Sequence, residues 1–301
     1  RRRETWLEMI DERVMPTLRS FSNHQLKENI YDEIRENLVN TKATTSFRLF
    51  AMAGRAATRD NTCTYNCSYL VPNCLEFFAE DLYIAMCGTG DGSSVEKYYI
   101  SQLPFISHQT KEEKEVFVFE DTTESWCVGY LIALRLWFTG RDIEFDFSKI
   151  RPAGAILKTK GGRASGPEPL RKILELIRSI ILNAQGRQLY SDEVADIICI
   201  GGDCAIAGGM RRTAKIIIAD FGDERMRAFK RGDNLDIYPW RRNANISEAF
   251  IRDYSFDEIR EFVMNMHASG RGENGIFSRV NAVLNAPERR KLHWEQELGI
   301  K

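Results

Sequence analysis

The sequence predicts an α/β protein built on a largely parallel sheet, and three observations carry that expectation. Segments with helical spacing of apolar residues alternate with short β-branched and aromatic runs along the 301 residues. Capping boxes mark helix starts at Thr5-Trp6-Leu7-Glu8 and Ser255-Phe256-Asp257-Glu258. No internal repeat or low-complexity tract suggests a solenoid or a fibrous chain.

The first box opens a helix with Trp6, Met9, Ile10 and Val14 on one stripe, which Pro16 is expected to end or kink. Leu26, Ile30, Ile34 and Leu38 mark a second amphipathic helix. Tyr65, Cys67 and Tyr69 read as one face of a buried strand, with Asn66 and Ser68 facing the other way. A helix from Leu75 to Met86 then runs into Gly88, Gly90 and Gly92, a loop where backbone could approach a ligand. Val116-Phe117-Val118-Phe119, Ile143 to Phe147 and Ala214 to Ile218 read as strands. Trp126, Tyr130, Leu134 and Trp137 share one helical face and are expected to fill a core rather than hold a cofactor. Leu170 to Leu182 is a helix with Ile173, Leu174, Ile177 and Ile181 inward. After the second box, Ile259, Phe262, Val263 and Met266 line another helix, and Glu273-Asn274-Gly275 reads as a turn.

A net charge of -1 offers no field for a nucleic-acid polymer or an anionic membrane, so an anionic ligand must be held by local basic groups. No apolar run reaches membrane-spanning length and no signal-peptide core is visible, which points to the cytoplasm. Seven cysteines, odd in number and irregularly spaced, suit neither a disulfide framework nor a zinc site. No metal is expected.

Three groups of residues carry candidate chemistry. Cys67 is either core filler or a redox group. Lys158, Lys160 and Arg163, interleaved with Gly161 and Gly162, lead into Ser165-Gly166-Pro167-Glu168, which has capping-box spacing; the alternatives are an anion site and a solvated basic loop. In Gly208-Gly209-Met210-Arg211-Arg212-Thr213 the adjacent glycines would let a loop switch conformation, and Arg211 or Arg212 could read a base edge or a phosphate through its planar fork. The absence of any Cys-x-x-Cys weakens a simple dithiol oxidoreductase.

Taken in order, these motifs resemble the first half of the class II ribonucleotide reductases, the monomeric adenosylcobalamin-dependent ribonucleoside-triphosphate reductases. The likeness runs from Arg3-Glu4-Thr5-Trp6 through Phe145 to Pro152 and on to Gly275-Ile276-Phe277-Ser278-Arg279. It implies the reductase-type ten-stranded α/β barrel, incomplete here, in residues 43–301 after a helical N-terminal region in residues 1–42. Residues 95–152 would be an insertion standing in for a dimer partner at the effector site, so a monomer is expected.

The resemblance assigns Cys67 to the reducing cysteine on the substrate side, delivering hydrogen to the 2' carbon of a ribonucleoside triphosphate. It places Asn66, Ser68, Gly88, Gly90, Gly92 and Asn245 at that substrate. Lys158, Lys160, Gly161, Gly162, Arg163, Gly208, Gly209, Arg211 and Arg212 would hold a deoxynucleotide allosteric effector. Cys63 is a poor disulfide partner for Cys67, because four residues of strand span about 13 Å. The family's second thiol and its Asn-Pro-Cys radical loop lie beyond residue 301, with most cobalamin contacts, so the chain is expected to be a fragment needing its missing C-terminal half and a thioredoxin-like reductant. Three departures stand out. Asp91 and Ser93 replace an apolar residue and an aromatic beside the glycines, and Ile246 replaces an asparagine. The alternative function is a truncated or degenerate nucleotide-binding module without turnover.

Overall fold

The computed structural model describes residues 3–21, 26–110, 113–156, 163–207 and 214–297. Its strands are β1 (Cys67–Leu70), β2 (Gly90–Ser94), β3 (Glu115–Val118), β4 (Ile143–Asp146), β5 (Lys215–Asp220), β6 (Ala244–Phe250) and β7 (Gly275–Ser278). Five of them form one sheet in the order β1-β2-β5-β6-β7, every neighbouring pair parallel. β3 and β4 make a separate two-stranded parallel sheet.

Parallel neighbours need crossovers, and helices supply them. The Glu76–Met86 helix joins β1 to β2, and the Thr123–Phe138, Glu168–Asn183 and Ser191–Ala207 helices lie between β2 and β5. They pack on one another and on one face of the main sheet. The main core there gathers Leu82, Leu134, Ile173, Ile177, Ile181 and Ile197. Each such side chain contributes about 1.5–3 kcal/mol by leaving water. The expected stripe of Trp126, Tyr130, Leu134 and Trp137 is buried as read. So are Ile173, Leu174, Ile177 and Ile181.

Both capping boxes are present, Thr5 with Glu8 and Ser255 with Glu258. Pro16 does not end the first helix. A π turn over Ile10–Val14, in which the Met15 N–H reaches the Ile10 carbonyl, precedes it, and helix continues through Met15–Phe21. The wider turn accommodates a residue that lacks an N–H and crowds the carbonyl four places back. Ile10, Val14 and Met15 then pack with Tyr31, Leu38, Phe50 and Ala53 in a second cluster.

Other expectations needed correction. Leu26 and Ile30 are exposed, and the inward face of the Glu28–Val39 helix is carried by Tyr31 and Leu38. The Glu168–Asn183 helix starts with Pro167 at the cap and no side-chain cap bond; Ser165 Oγ instead bonds the Gly166 carbonyl. Glu273-Asn274-Gly275 is more than a turn. Gly275 begins β7, and the Asn274 amide donates to buried Glu248 at 3.1 Å.

Candidate functional site

Strand alternation and register sort the main sheet into two faces. On the helix side run Ser68, Asp91, Lys215 and Ala244, then Leu70, Ser93, Ile217 and Ile246. On the other side Cys67 lies beside Gly90, and a second row reads Tyr69, Gly92, Ile216, Asn245. A third row is Ser94, Ile218, Ser247, Gly275.

Parallel sheets normally have both faces covered. Here Cys67, Tyr69, Ile216 and Asn245 are exposed, so among the described residues nothing covers the middle of the second face. This corrects the expectation that Tyr65, Cys67 and Tyr69 face a buried core. The alternation was right, but the side carrying the thiol is the open one, at the sheet's edge.

The glycines shape that face. Gly90 and Gly92 are strand residues of β2 rather than a loop. A Cβ on Gly92 would stand 3.2 Å from the Tyr69 ring, and one on Gly90 would stand 3.3 Å from the Ala214 carbonyl. The two bare positions leave a strip of backbone beside Cys67. Gly88 plays another part: at φ +78° it follows the end of the Glu76–Met86 helix, where a left-handed residue is needed.

Asn66 is exposed just before β1, and its carbonyl accepts the Gly90 N–H at 3.0 Å. Ser68 sits on the helix side with its Oγ 3.4 Å from the Gly90 carbonyl, so the structure separates it from Cys67. Ile246 and Ser93 are buried on the helix side as well, so neither substitution alters the open face.

Asp91 also turns away from that face. Its carboxyl meets Lys215 Nζ at 2.7 Å, and the same ammonium bonds Asp81 at 2.8 and 2.9 Å. All three side chains are almost wholly buried. Burial, then the charge and close approach of Asp81, push the Asp91 carboxyl up to about 9 against the pull of Lys215. An acid repelling a phosphate on the open face is therefore not a feature of the site.

At the carboxyl ends of the strands lies a cluster that sequence reading did not single out. Glu96, just after β2, accepts bonds from Arg279, just after β7, and from Ser94 Oγ. Burial raises the Tyr69 phenol, whose hydroxyl contacts Arg279 and Ser94. The sequence carried no signal for it, because the glycine run before Glu96 read as a loop and Glu273-Asn274-Gly275 as a turn.

A cleft of about 210 Å³ opens near the other ends of β1, β2 and β5. Ala164, Ser165 and Gly166 line it on one side and Cys204 and Ala205 on another, the described flanks of the two predicted effector loops. At its rim Arg59 pairs with Glu124 at 2.7 Å and Arg151 with Asp121 at 2.6 Å. Inside, Tyr83 donates to the Asp60 carboxylate, and burial followed by that bond raises the phenol. Arg163 is exposed and donates to the Gly154 carbonyl at 2.9 Å. Lys158, Lys160, Gly161, Gly162, Gly208, Gly209, Arg211 and Arg212 lie outside the described residues.

Among the described residues no cluster of His, Cys, Asp and Glu is suited to a metal ion, and no helix is long and apolar enough to cross a membrane.

Comparison with known proteins gives a consistent result. No family model matches the chain. In sequence it is similar to the adenosylcobalamin-dependent ribonucleoside-triphosphate reductase of Euglena gracilis, 32% identical over 143 residues, 46% of this chain and 20% of that protein. The reductase of the same name from Levilactobacillus brevis is 32% identical over 184 residues, 59% of this chain and 23% of the relative. That of Lactobacillus leichmannii is 26% identical over 236 residues, 66% and 31% of the two chains. The chain thus spans about a fifth to a third of the length of these relatives. The fold matches a crystal structure of a B-12 dependent (class II) ribonucleotide reductase with a TM-score of 0.74 at 22% identity, covering 91% of this chain and 46% of that one. The α/β fold expected from the sequence is therefore present, as a half-length part of that architecture.

Proposed function

We propose that this sequence relative of the adenosylcobalamin-dependent ribonucleoside-triphosphate reductases carries the substrate face and effector cleft of a ribonucleotide reductase. The observation that carries the reading is the position of Cys67. It is an exposed thiol next to a glycine strip, on an uncovered face of a parallel sheet, in a chain with the reductase fold. Backbone bare of Cβ atoms lets a sugar approach the sulfur closely.

Replacing a ribose 2'-hydroxyl by hydrogen consumes two electrons and two protons and releases water. Two thiols supply both as they become a disulfide. Cys67 is one of them, and the second comes from the remainder of the relatives' length. A thioredoxin-type dithiol then reopens the disulfide by exchange. Tyr69 and Asn245 border the same face and orient the nucleotide, and Asn66 holds the start of β2 in place through its carbonyl. Adenosylcobalamin, when bound, supplies the radical that starts this thiyl-radical chemistry. The open face fits a nucleotide beside Cys67, and the cobalamin contacts belong in this reading to the remainder of the relatives' length.

The cleft takes a deoxynucleotide effector. In this reading Lys158, Lys160, Arg211 and Arg212, which lie outside the described residues, supply the cations, while Trp126 and Met86 offer apolar surface to a base. Residues 95–152 wall the cleft on one side, which makes a second subunit unnecessary and the protein a monomer of the cytoplasm, serving DNA synthesis. The test is ribonucleotide reduction by the protein carrying this chain, with adenosylcobalamin and a dithiol. Turnover abolished by Cys67→Ala supports the reading. Deoxynucleotide binding without turnover identifies a nucleotide-binding module instead.

A further inference from the structure

We infer that Asp81, Asp91 and Lys215 are positioning residues for the open face, the two carboxyls sharing one proton beneath the Lys215 ammonium so that a neutral trio locks β2 to β5. The geometry leads there directly. One ammonium lies 2.7–2.9 Å from oxygens of both carboxyls, and the three side chains are 0–3% exposed. Fully ionised, the trio would hold a net negative charge with no water to screen it. Asp91 Oδ2 is buried without a hydrogen-bond partner, and the shared Lys215 ammonium draws the Asp81 and Asp91 carboxyls together. Two carboxylates that close retain a proton between them.

The trio joins three elements. Asp91 and Lys215 are direct register partners on β2 and β5, and Asp81 comes from the Glu76–Met86 helix above them. One residue along each strand, on the opposite face, stand Gly90, Gly92 and Ile216. Whatever holds Asp91 against Lys215 therefore also fixes the glycine strip beside Cys67.

From the helices packed above, Tyr130 faces Asp81, and Cys199 lies near Lys215. Burial raises both, so both stay neutral while Asp91 titrates. The shared proton is present at neutral pH. Its loss at alkaline pH leaves a second buried negative charge that pushes β2 away from the helix.

The test has two parts and needs no nucleotide, so the trio can fail while the reductase reading survives, and the reverse. Carbon-13 NMR of the wild-type chain follows the aspartate carboxyls across pH. A carboxyl signal that is protonated at neutral pH, titrates near pH 9 and is missing from Asp91→Asn is expected. In a Cys74→Ser background, the Cys67 alkylation rate should then depart from a simple thiolate curve above that pH, and Asp91→Asn should remove the departure. An Asp91 signal already that of a carboxylate at neutral pH would overturn the shared proton. Identical Cys67 profiles in wild type and Asp91→Asn would overturn the positioning role. The wild-type spectrum decides the first point even where a variant folds poorly.

Discussion

Timed alkylation of the native chain with iodoacetamide is expected to divide its seven cysteines into two groups. Cys67 and Cys74 are exposed, whereas Cys63, Cys87, Cys127, Cys199 and Cys204 are buried. A buried thiol reacts only after the structure opens. Openings that expose a core element cost a large part of the global stability, about 5–15 kcal/mol for a folded domain. At 1.4 kcal/mol per factor of ten, even about 5 kcal/mol slows a buried thiol by roughly three to four powers of ten. Burial also raises the Cys199 and Cys204 thiols, which lowers their thiolate fraction further. Cys63 and Cys87 line the cleft, so they should be the next to react. Peptide mass spectrometry should find two fast labels, at Cys67 and Cys74, with Cys63 and Cys87 following slowly and the remaining three appearing only in denaturant. Cys67→Ser should remove one fast label and leave the slow set alone. Should Cys67 prove as slow as Cys199, the uncovered sheet face is wrong.

Gly129→Ala is expected to destabilise the chain by about 1–3 kcal/mol. Its Cβ would lie 2.3 Å from the Phe119 ring and 2.6 Å from that of Phe117; an unchanged melting temperature would contradict this packing. Asp196→Ala should cost about 3–5 kcal/mol, read as a lowered urea midpoint, because it strands the Arg241 guanidinium in the core. Asp142 supplies a pH dependence. Burial raises its carboxyl, but bonds from Arg178, the Ile143 N–H and Lys114 outweigh that and hold it at about 2, against an ordinary 3.8. A depressed carboxyl stabilises the fold above its unfolded value, and that stability is lost as pH falls through about 2. After discounting for solvent, the contribution is about 1–2 kcal/mol. Asp142→Asn should flatten this acid limb in denaturant titrations at several pH values.

Much of the helical framework was legible because local patterns suffice to define it. The 3.6-residue spacing of Ile173, Leu174, Ile177 and Ile181 reports one buried face, and capping boxes at Thr5 and Ser255 are short-range hydrogen-bond patterns. The sheet was harder to read. Alternation showed that Cys67 and Ser68 face opposite ways, but a strand does not state which of its sides other elements cover. The partnership of Asp91 with Lys215 depends on a parallel register between residues 124 apart, which no local pattern encodes. Asp91 therefore read only as an acid out of place among the glycines when it is a buried partner of an ammonium. Pro16 misled for a related reason: the rule that proline ends a helix assumes α geometry, and the preceding turn is a π turn. The pairing of Glu96 with Arg279 joins residues 183 apart, beyond the ends of β2 and β7, which have two strands between them, and it too appears only once the sheet is assembled.

The proposal that a nucleotide lies against the uncovered face is tested most directly by asking whether it shields Cys67. A ribonucleoside triphosphate titrated into the native protein should slow Cys67 alkylation in a saturable way while Cys74 keeps its rate. A Cys67 rate that stays constant at nucleotide concentrations shown by calorimetry to saturate the protein would contradict the account.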